Sequence, residues 1–116
     1  MERPEDQGRS NLYDKIIKAS VENGVDPDTA LNIAMCESSL RHYGENGNTL
    51  RGLHNSNDLG VFQINEKYHL EKSQELGFDI ETPEGNIGYA MWLIKNEGVK
   101  HWKYSKPCWG PKLAQI

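Results

Sequence analysis

Glu37 stands in the stretch A-M-C-E-S-S, and Asp58 in N-S-N-D-L-G-V-F-Q-I-N, where Gln63 and Asn65 follow within one short apolar run. Two carboxyl groups divide acid and base work when their surroundings hold their pKa values apart, so that one stays protonated and the other ionised. At about 100° per residue, Glu37 falls on the same helical arc as Ala30, Ile33 and Ala34, inside the apolar face. It also sits in the last turn, where the backbone carries partial negative charge. Desolvation and the helix end both disfavour the carboxylate and raise its pKa, as a general acid requires. The plainer reading is a boundary glutamate whose stem packs on apolar groups while its head reaches water. Asp58 heads the apolar run at the mouth of a small sheet, a place where an acid is expected to stay solvated and ionised. Glycoside cleavage needs such a division: one group protonates the leaving oxygen, and the other stabilises or attacks the oxocarbenium-like centre. Asn57-Asp58 followed by Gly60 is also ordinary turn chemistry, so a turn cap stays open for Asp58.

The elements that must position these residues are readable from periodicity and punctuation. Residues 1–10 are expected to be a disordered lead-in, followed by a single domain over 11–116. From Asn11, the apolar positions Leu12, Ile16, Ile17 and Val21 follow a helical rhythm that Gly24 ends. Asp26-Pro27-Asp28 supplies an N-cap, a first-turn proline and a first-turn acid for a second helix reaching about Ser39. Over 41–65, Gly44, Gly47, Gly52 and Gly60 punctuate short apolar groups, and Asn46-Gly47 is a hairpin-type pair, which predicts a small irregular antiparallel sheet. Glu66 to Leu76 reads as a helix closed by Gly77. Thr82-Pro83-Glu84 opens another, with a core stripe of Ile87, Ala90, Met91 and Ile94 and a stop at Gly98. Trp102, Tyr104, Cys108 and Trp109 give the tail an aromatic density expected to pack back on the domain. The fold class is α+β, mostly α.

Composition narrows the function classes. The chain has 116 residues, is 36% hydrophobic and 26% charged, and carries a net charge of −4. Those values fit one soluble domain with a modest core. Lys and Arg form no basic stripe, so no nucleic-acid partner is expected. No apolar run approaches the roughly 20 residues of a membrane-spanning helix. The start, MERPEDQGRS, lacks the hydrophobic stretch of a secretory signal. Either a leader has already been removed, or export depends on something this chain does not carry. The four histidines, His42, His54, His69 and His101, lie far apart in sequence. With two cysteines and no CxxC pattern, no metal or other cofactor is implied.

C-E-S-S followed by N-S-N-D-L-G-V-F-Q-I-N-E-K-Y-H resembles the lysozyme-like superfamily, in which an E-S pair ends a helix and a G-x-x-Q-I-N segment lies across the cleft. The S-x-D-x-G-x-x-Q-I-N form, here Ser56, Asp58, Gly60, Gln63, Ile64 and Asn65, looks like animal-type lysozymes. It also looks like the specialised lytic transglycosylases used by bacterial secretion systems and conjugation machines. P-E-G-N-I-G-Y-A-M-W-L-I is similar to the transglycosylase pattern in which Asn-Ile opens a helix after the active-site segment. The resemblance covers roughly residues 27 to 109. It implies a lysozyme-like fold with a small sheet beside the cleft, and cleavage of the peptidoglycan bond between N-acetylmuramic acid and N-acetylglucosamine.

Carried over position by position, the resemblance makes Glu37 the acid/base and Asp58 the second carboxylate. It places Ser38, Gln63 and Asn65 among the substrate-binding residues, with Tyr68 as a subsite aromatic whose ring stacks on a sugar face. Tyr68 packed on its own helix surface is the simpler alternative. Trp102 is expected as the apolar wall that desolvates Glu37, or else as plain core. Two features depart from the pattern. No Tyr-Asn pair follows residue 90, as the common transglycosylase domain would have, and animal-type enzymes carry several disulfides where this chain can form one.

Three functions therefore stay open: a lytic transglycosylase, a muramidase that hydrolyses with Glu37 and Asp58, and a glycan-binding module that does not cut. The expected home is extracytoplasmic, with the chain acting as a monomer or as part of a secretion, conjugation or phage machine. A Cys36–Cys108 bond would pin the tail against the helix of the acid, and such bonds persist in oxidising compartments. The alternative is two buried free thiols acting as small hydrophobes.

Overall fold

The computed structural model describes residues 4–113. Five helices account for most of them: α1 (Pro4–Asn23), α2 (Pro27–Ser38), α3 (Glu66–Glu75), α4 (Pro83–Glu97) and α5 (Lys106–Leu113), with a 3-10 segment over Lys100–Ser105 before α5. Side chains open three of them. Asp26 accepts from Thr29 N at 3.3 Å and from the Thr29 hydroxyl at 2.7 Å to start α2. Asn65 accepts from Tyr68 N at 3.3 Å to start α3, and Thr82 from Gly85 N at 3.0 Å to start α4. Each cap pairs a backbone donor that the first turn leaves without an intrahelical acceptor. Gly24, Gly77 and Gly98 follow α1, α3 and α4 with φ of 68°, 85° and 77°, left-handed values that suit a residue without Cβ.

The sheet is smaller than the glycine punctuation suggests. β1 (Asp58–Leu59) and β2 (Ile64–Asn65) pair antiparallel, with Asp58 opposite Asn65 and Leu59 opposite Ile64. Single bridges join Arg51 to Leu59 and Tyr43 to Thr49. The tight turn between the strands buries Leu59, Val61, Phe62 and Ile64 together, so this short segment behaves as a plug in the core. The fold is α+β and mostly helical.

α1 packs against α2 and α4, and α2 also packs against α5. Ile16, Ile33, Ala34, Ile87, Ala90 and Met91 meet in the centre, joined by Trp102 and Trp109 from the tail. Burying each of the larger apolar side chains is worth about 1.5–3 kcal/mol. Cys36 and Cys108 are bonded, with their Cα atoms 6.0 Å apart, so the free-thiol reading is excluded and the tail is fastened to α2.

Three sequence expectations are corrected. Residues 4–10 belong to α1 and are no disordered lead-in; residues 1–3 lie outside the described ones. Val21 is 68% exposed, and the buried place beside it goes to Ser20, whose hydroxyl donates to Met91 Sδ at 3.5 Å. Tyr104 does not pack back on the domain: it is 90% exposed.

Candidate active site

A cleft of about 460 Å³ opens between the end of α2, the strand pair, the start of α3 and the tail. Glu37, Asp58, Gln63, Asn65, Tyr68 and Trp102 all line it. The structure thus brings together six of the seven residues expected to act on a substrate.

Glu37 occupies the last turn of α2, which stops because two successive residues leave the right-handed region. Ser39 (φ 56°) and Leu40 (φ 59°) are left-handed, and their N–H groups return to Met35 O at 2.9 Å and Ala34 O at 3.4 Å. The chain turns away at once and leaves the Glu37 side chain beside the tail. Burial is the main force that raises its pKa, and the negative charge of Asp58 pushes the same way. A hydrogen bond with the Ser105 side chain opposes them. A carboxyl that is hard to ionise, yet open to a cleft, is poised to give up its proton to something bound there.

Asp58 differs from expectation. It is half-buried in β1 rather than solvated at a sheet mouth, and burial raises its pKa while a hydrogen bond from the Asn65 amide lowers it. The cause is the strand pairing, which lays Asn65 beside it, and the close approach of Gly52. A Cβ on Gly52 would stand 3.3 Å from Asp58 Cβ and 2.9 Å from Gln63 Oε1, so the missing side chain is what admits both polar groups. Nor is Asp58 the turn cap, because Asn55 Oδ1 accepts from Asn57 N at 3.0 Å and does that work.

Gln63 is held in the left-handed region (φ 52°), where its own N–H and its Nε2 both donate to Gly60 O, at 3.0 and 2.9 Å. Such a conformation costs a non-glycine residue about 1–2 kcal/mol, and it places the amide in the cleft wall. Asn65 has two duties, its carbonyl capping α3 and its amide meeting Asp58. Tyr68 projects from the first turn of α3 and is 74% exposed, with Nζ of its helix neighbour Lys67 5.9 Å from the ring centroid. Trp102 is both core and wall: it is buried, its Nε1 donates to Phe62 O at 2.9 Å, and it borders the cleft.

Ser38 is the exception. It is buried away from the cleft, donating to Val61 O (2.8 Å), with Ala34 O at 3.0 Å, and accepting from Arg41 N (3.1 Å). Its work is to tie the end of α2 to the strand turn, which keeps the Glu37 and Asp58 sides in register.

Two buried polar side chains complete that fastening. His42 Nε2 donates to Glu81 O at 2.6 Å, which leaves Nδ1 to accept from Val61 N at 3.2 Å. Burial lowers the His42 pKa, and the neutral ring is the form this pattern requires. Asn86 donates through Nδ2 to Leu59 O and Ile80 O and accepts Phe62 N–H at Oδ1, each at 2.9 Å. Gly60 lies between them with φ 73°, and a Cβ there would reach 2.6 Å from His42 Nδ1 and 2.7 Å from Asn86 Nδ2. The glycine that punctuates the motif is thus the point where both anchors come close to the backbone.

Among the cleft residues that sequence reading missed are His69, His101, Tyr104 and Ser105. His69 and His101, distant in sequence, meet with ring centroids 5.1 Å apart. The one signal that pointed toward them is the repeated Lys-Tyr pair, at 67–68 and 103–104, each with a histidine nearby. No family model, curated protein or solved structure matches the chain.

Proposed function

We propose that this chain is a lysozyme-like lytic transglycosylase that cuts the β-1,4 bond between N-acetylmuramic acid and N-acetylglucosamine in peptidoglycan. The observation that carries the reading is Glu37: a half-buried carboxyl with a raised pKa, in a cleft shared with Asp58 and two amides. Glu37 gives its proton to the glycosidic oxygen as the bond from the anomeric carbon to that oxygen breaks. The oxocarbenium-like centre is then attacked by the sugar's own 6-hydroxyl, whose proton returns to Glu37. A 1,6-anhydro ring closes, and no water is consumed. In this scheme burial, helped by the charge of Asp58, keeps Glu37 protonated before the reaction, and that charge stabilises the developing positive centre. Gln63 and Asn65 orient the sugar through hydrogen bonds, and the exposed ring of Tyr68 stacks on it.

The same pair of carboxyls supports a second reading, a muramidase in which water completes the reaction and Asp58 holds or captures the intermediate. Both readings place the chain outside the cytoplasm, on a wall remodelled locally by a secretion, conjugation or phage machine. The bonded Cys36–Cys108 pair is consistent with an oxidising compartment.

Digestion of purified peptidoglycan followed by mass spectrometry separates the possibilities. Anhydro-ended fragments, one water lighter than hydrolysed ones, are the expected result; hydrolysed ends favour the muramidase, and intact strands that are bound but uncut favour a binding module. Glu37→Gln keeps the shape of the side chain and should lower cleavage by about 10²-fold or more; near-normal turnover would remove the assignment. Asp58→Asn should keep a substantial share of an anhydro-forming activity, whereas a hydrolase would lose most of its rate. Because Glu37 enters the reaction protonated, cleavage should fall as pH rises through its raised pKa.

A further inference from the structure

His69, near the start of α3, and His101, in the 3-10 segment, share the cleft with Glu37. Their rings meet edge to face. Each is steadied through one nitrogen only: Tyr89 Oη lies 2.8 Å from His69 Nδ1, and Glu97 Oε1 lies 3.0 Å from His101 Nε2. Among the described residues, His69 Nε2 and His101 Nδ1 have no protein partner. No buried side-chain nitrogen or oxygen among them goes unpaired, so His69 Nε2 is open to solvent. His101 gives its Nε2–H to the Glu97 carboxylate, so it donates through Nδ1 as the imidazolium. In that form the two rings offer two N–H donors to a ligand with two acceptor oxygens.

We propose that His69 and His101 form a carboxylate-binding subsite of the cleft, which selects glycan strands whose sugars carry acidic substituents. The inference deepens the glycan-cleaving reading and rests on it for its substrate. Muramic acid bears a lactyl group, and in intact peptidoglycan that group carries a peptide ending in carboxylates. Glucosamine bears neither.

The charges around the pair set its pH behaviour. Glu97 faces His101 and is itself paired with Lys100 at 3.7 Å. Tyr89 lies behind His69, its hydroxyl pushed up to about 12 by burial, so it stays neutral. Glu37 and Asp58 line the same cleft, both harder to ionise than free carboxyls. Burial, and then the neighbouring His101, lower the pKa of His69, while Glu97 raises it. Empty, His69 therefore resists a positive charge, and a carboxylate laid against it relieves that resistance. Binding should take up a proton and strengthen as pH falls through the histidine range, until the ligand's own carboxylate protonates.

The test uses the whole chain and two small sugars. The imidazole C–H signals of His69 and His101 are followed by NMR at about pH 6, near the ordinary histidine pKa, during titration with N-acetylmuramic acid or with N-acetylglucosamine. Both histidines should respond to the acidic sugar, with the pKa of His69 rising, and respond far less to the neutral one. Silence at both histidines, or equal responses to the two sugars, would overturn the subsite. Cleavage then identifies the source of the carboxylate, with peptide-bearing strands, amidase-stripped strands and neutral chitooligosaccharides as substrates. His101→Gln should lower the preference for acidic strands over the neutral oligosaccharide by about tenfold, as expected for losing one charge-assisted hydrogen bond. A loss confined to peptide-bearing strands assigns the peptide, one that includes stripped strands assigns the lactyl group, and an equal loss on all three overturns the proposal. If the acidic sugar shifts both histidines but no strand is cut, the subsite stands and the enzymatic reading falls.

Discussion

The strand side of the cleft and its tail side are secured by different chemistry. On the strand side, residues 59–62 are held atom by atom: His42 takes the Val61 N–H, Ser38 the Val61 carbonyl, and Asn86 the Phe62 N–H and the Leu59 carbonyl. On the tail side, Trp102 and Ser105 are brought to Glu37 by the core packing of Trp102 and Trp109, by one indole hydrogen bond to Phe62 O and by the Cys36–Cys108 bond. Several buried hydrogen bonds fix the orientation of a backbone segment, whereas one covalent link fixes little more than a distance. The first arrangement suits a wall that presents amides at set angles, and the second a wall that only has to exclude water from an acid. The strand side should therefore be sensitive to single polar substitutions and to pH, and the tail side to redox state.

The largest expected effect breaks the tail side. The Cys36–Cys108 bond spans 72 positions, and the chain-entropy treatment assigns about 4 kcal/mol to a loop of that size. Replacing both cysteines with alanine should lower stability by that order, read by denaturant unfolding. It should also bring the Glu37 pKa down toward the ordinary carboxyl range as the tail loosens and water enters. An unchanged Glu37 titration in the folded variant would mean that the tail wall does not depend on the bond.

Asn86→Ala attacks the strand side and comes next. It strips partners from two buried carbonyls and one N–H, and unpaired buried groups of this kind cost about 1–3 kcal/mol each before relaxation. A total near 3 kcal/mol is expected. Amide exchange should quicken at residues 59–63 while the tail stays protected; uniform quickening would erase the distinction between the two walls.

The smallest effect is the pH response, and it sharpens the comparison. The folded-state pKa of His42 lies below its unfolded value, so its contribution to stability is present above the unfolded pKa and is lost as pH falls through the folded one. Mild acid should loosen the strand side first. His42→Gln should remove that part of the pH dependence, as thermal unfolding across the histidine range would show.

Much of the helical frame was legible because capping chemistry is local. Asp26-Pro27, Thr82-Pro83 and the glycines after α1, α3 and α4 announce their boundaries within a few residues. The candidate acid was legible for a related reason, since a carboxylate on the apolar arc of a helix is out of place wherever the helix packs. What failed depended on contacts between elements, which local pattern does not fix. Val21 has the right periodicity but faces water, while Ser20 turns toward α4 and donates to Met91 Sδ. Asp58 was expected to be wet, but pairing with a strand seven residues on, and a glycine that lets the chain come close, enclose it. Ser38 looked like a ligand contact because it neighbours the acid, although a helix turns it to the opposite side. The meeting of His69 and His101 needs the tail to fold back across α3, which no local pattern encodes.

Cys108 follows every residue of the cleft in the chain. A polypeptide delivered from its N-terminus, by a ribosome or through a membrane, therefore presents Glu37, Asp58 and the amide wall before the partner that Cys36 needs. Until that partner arrives and is oxidised, nothing covalent holds Trp102 and Ser105 over Glu37, and the shielding of its carboxyl rests on packing and hydrogen bonds alone. On the proposed function, activity would rise when this last-made wall closes, and reduced thiols would leave it low.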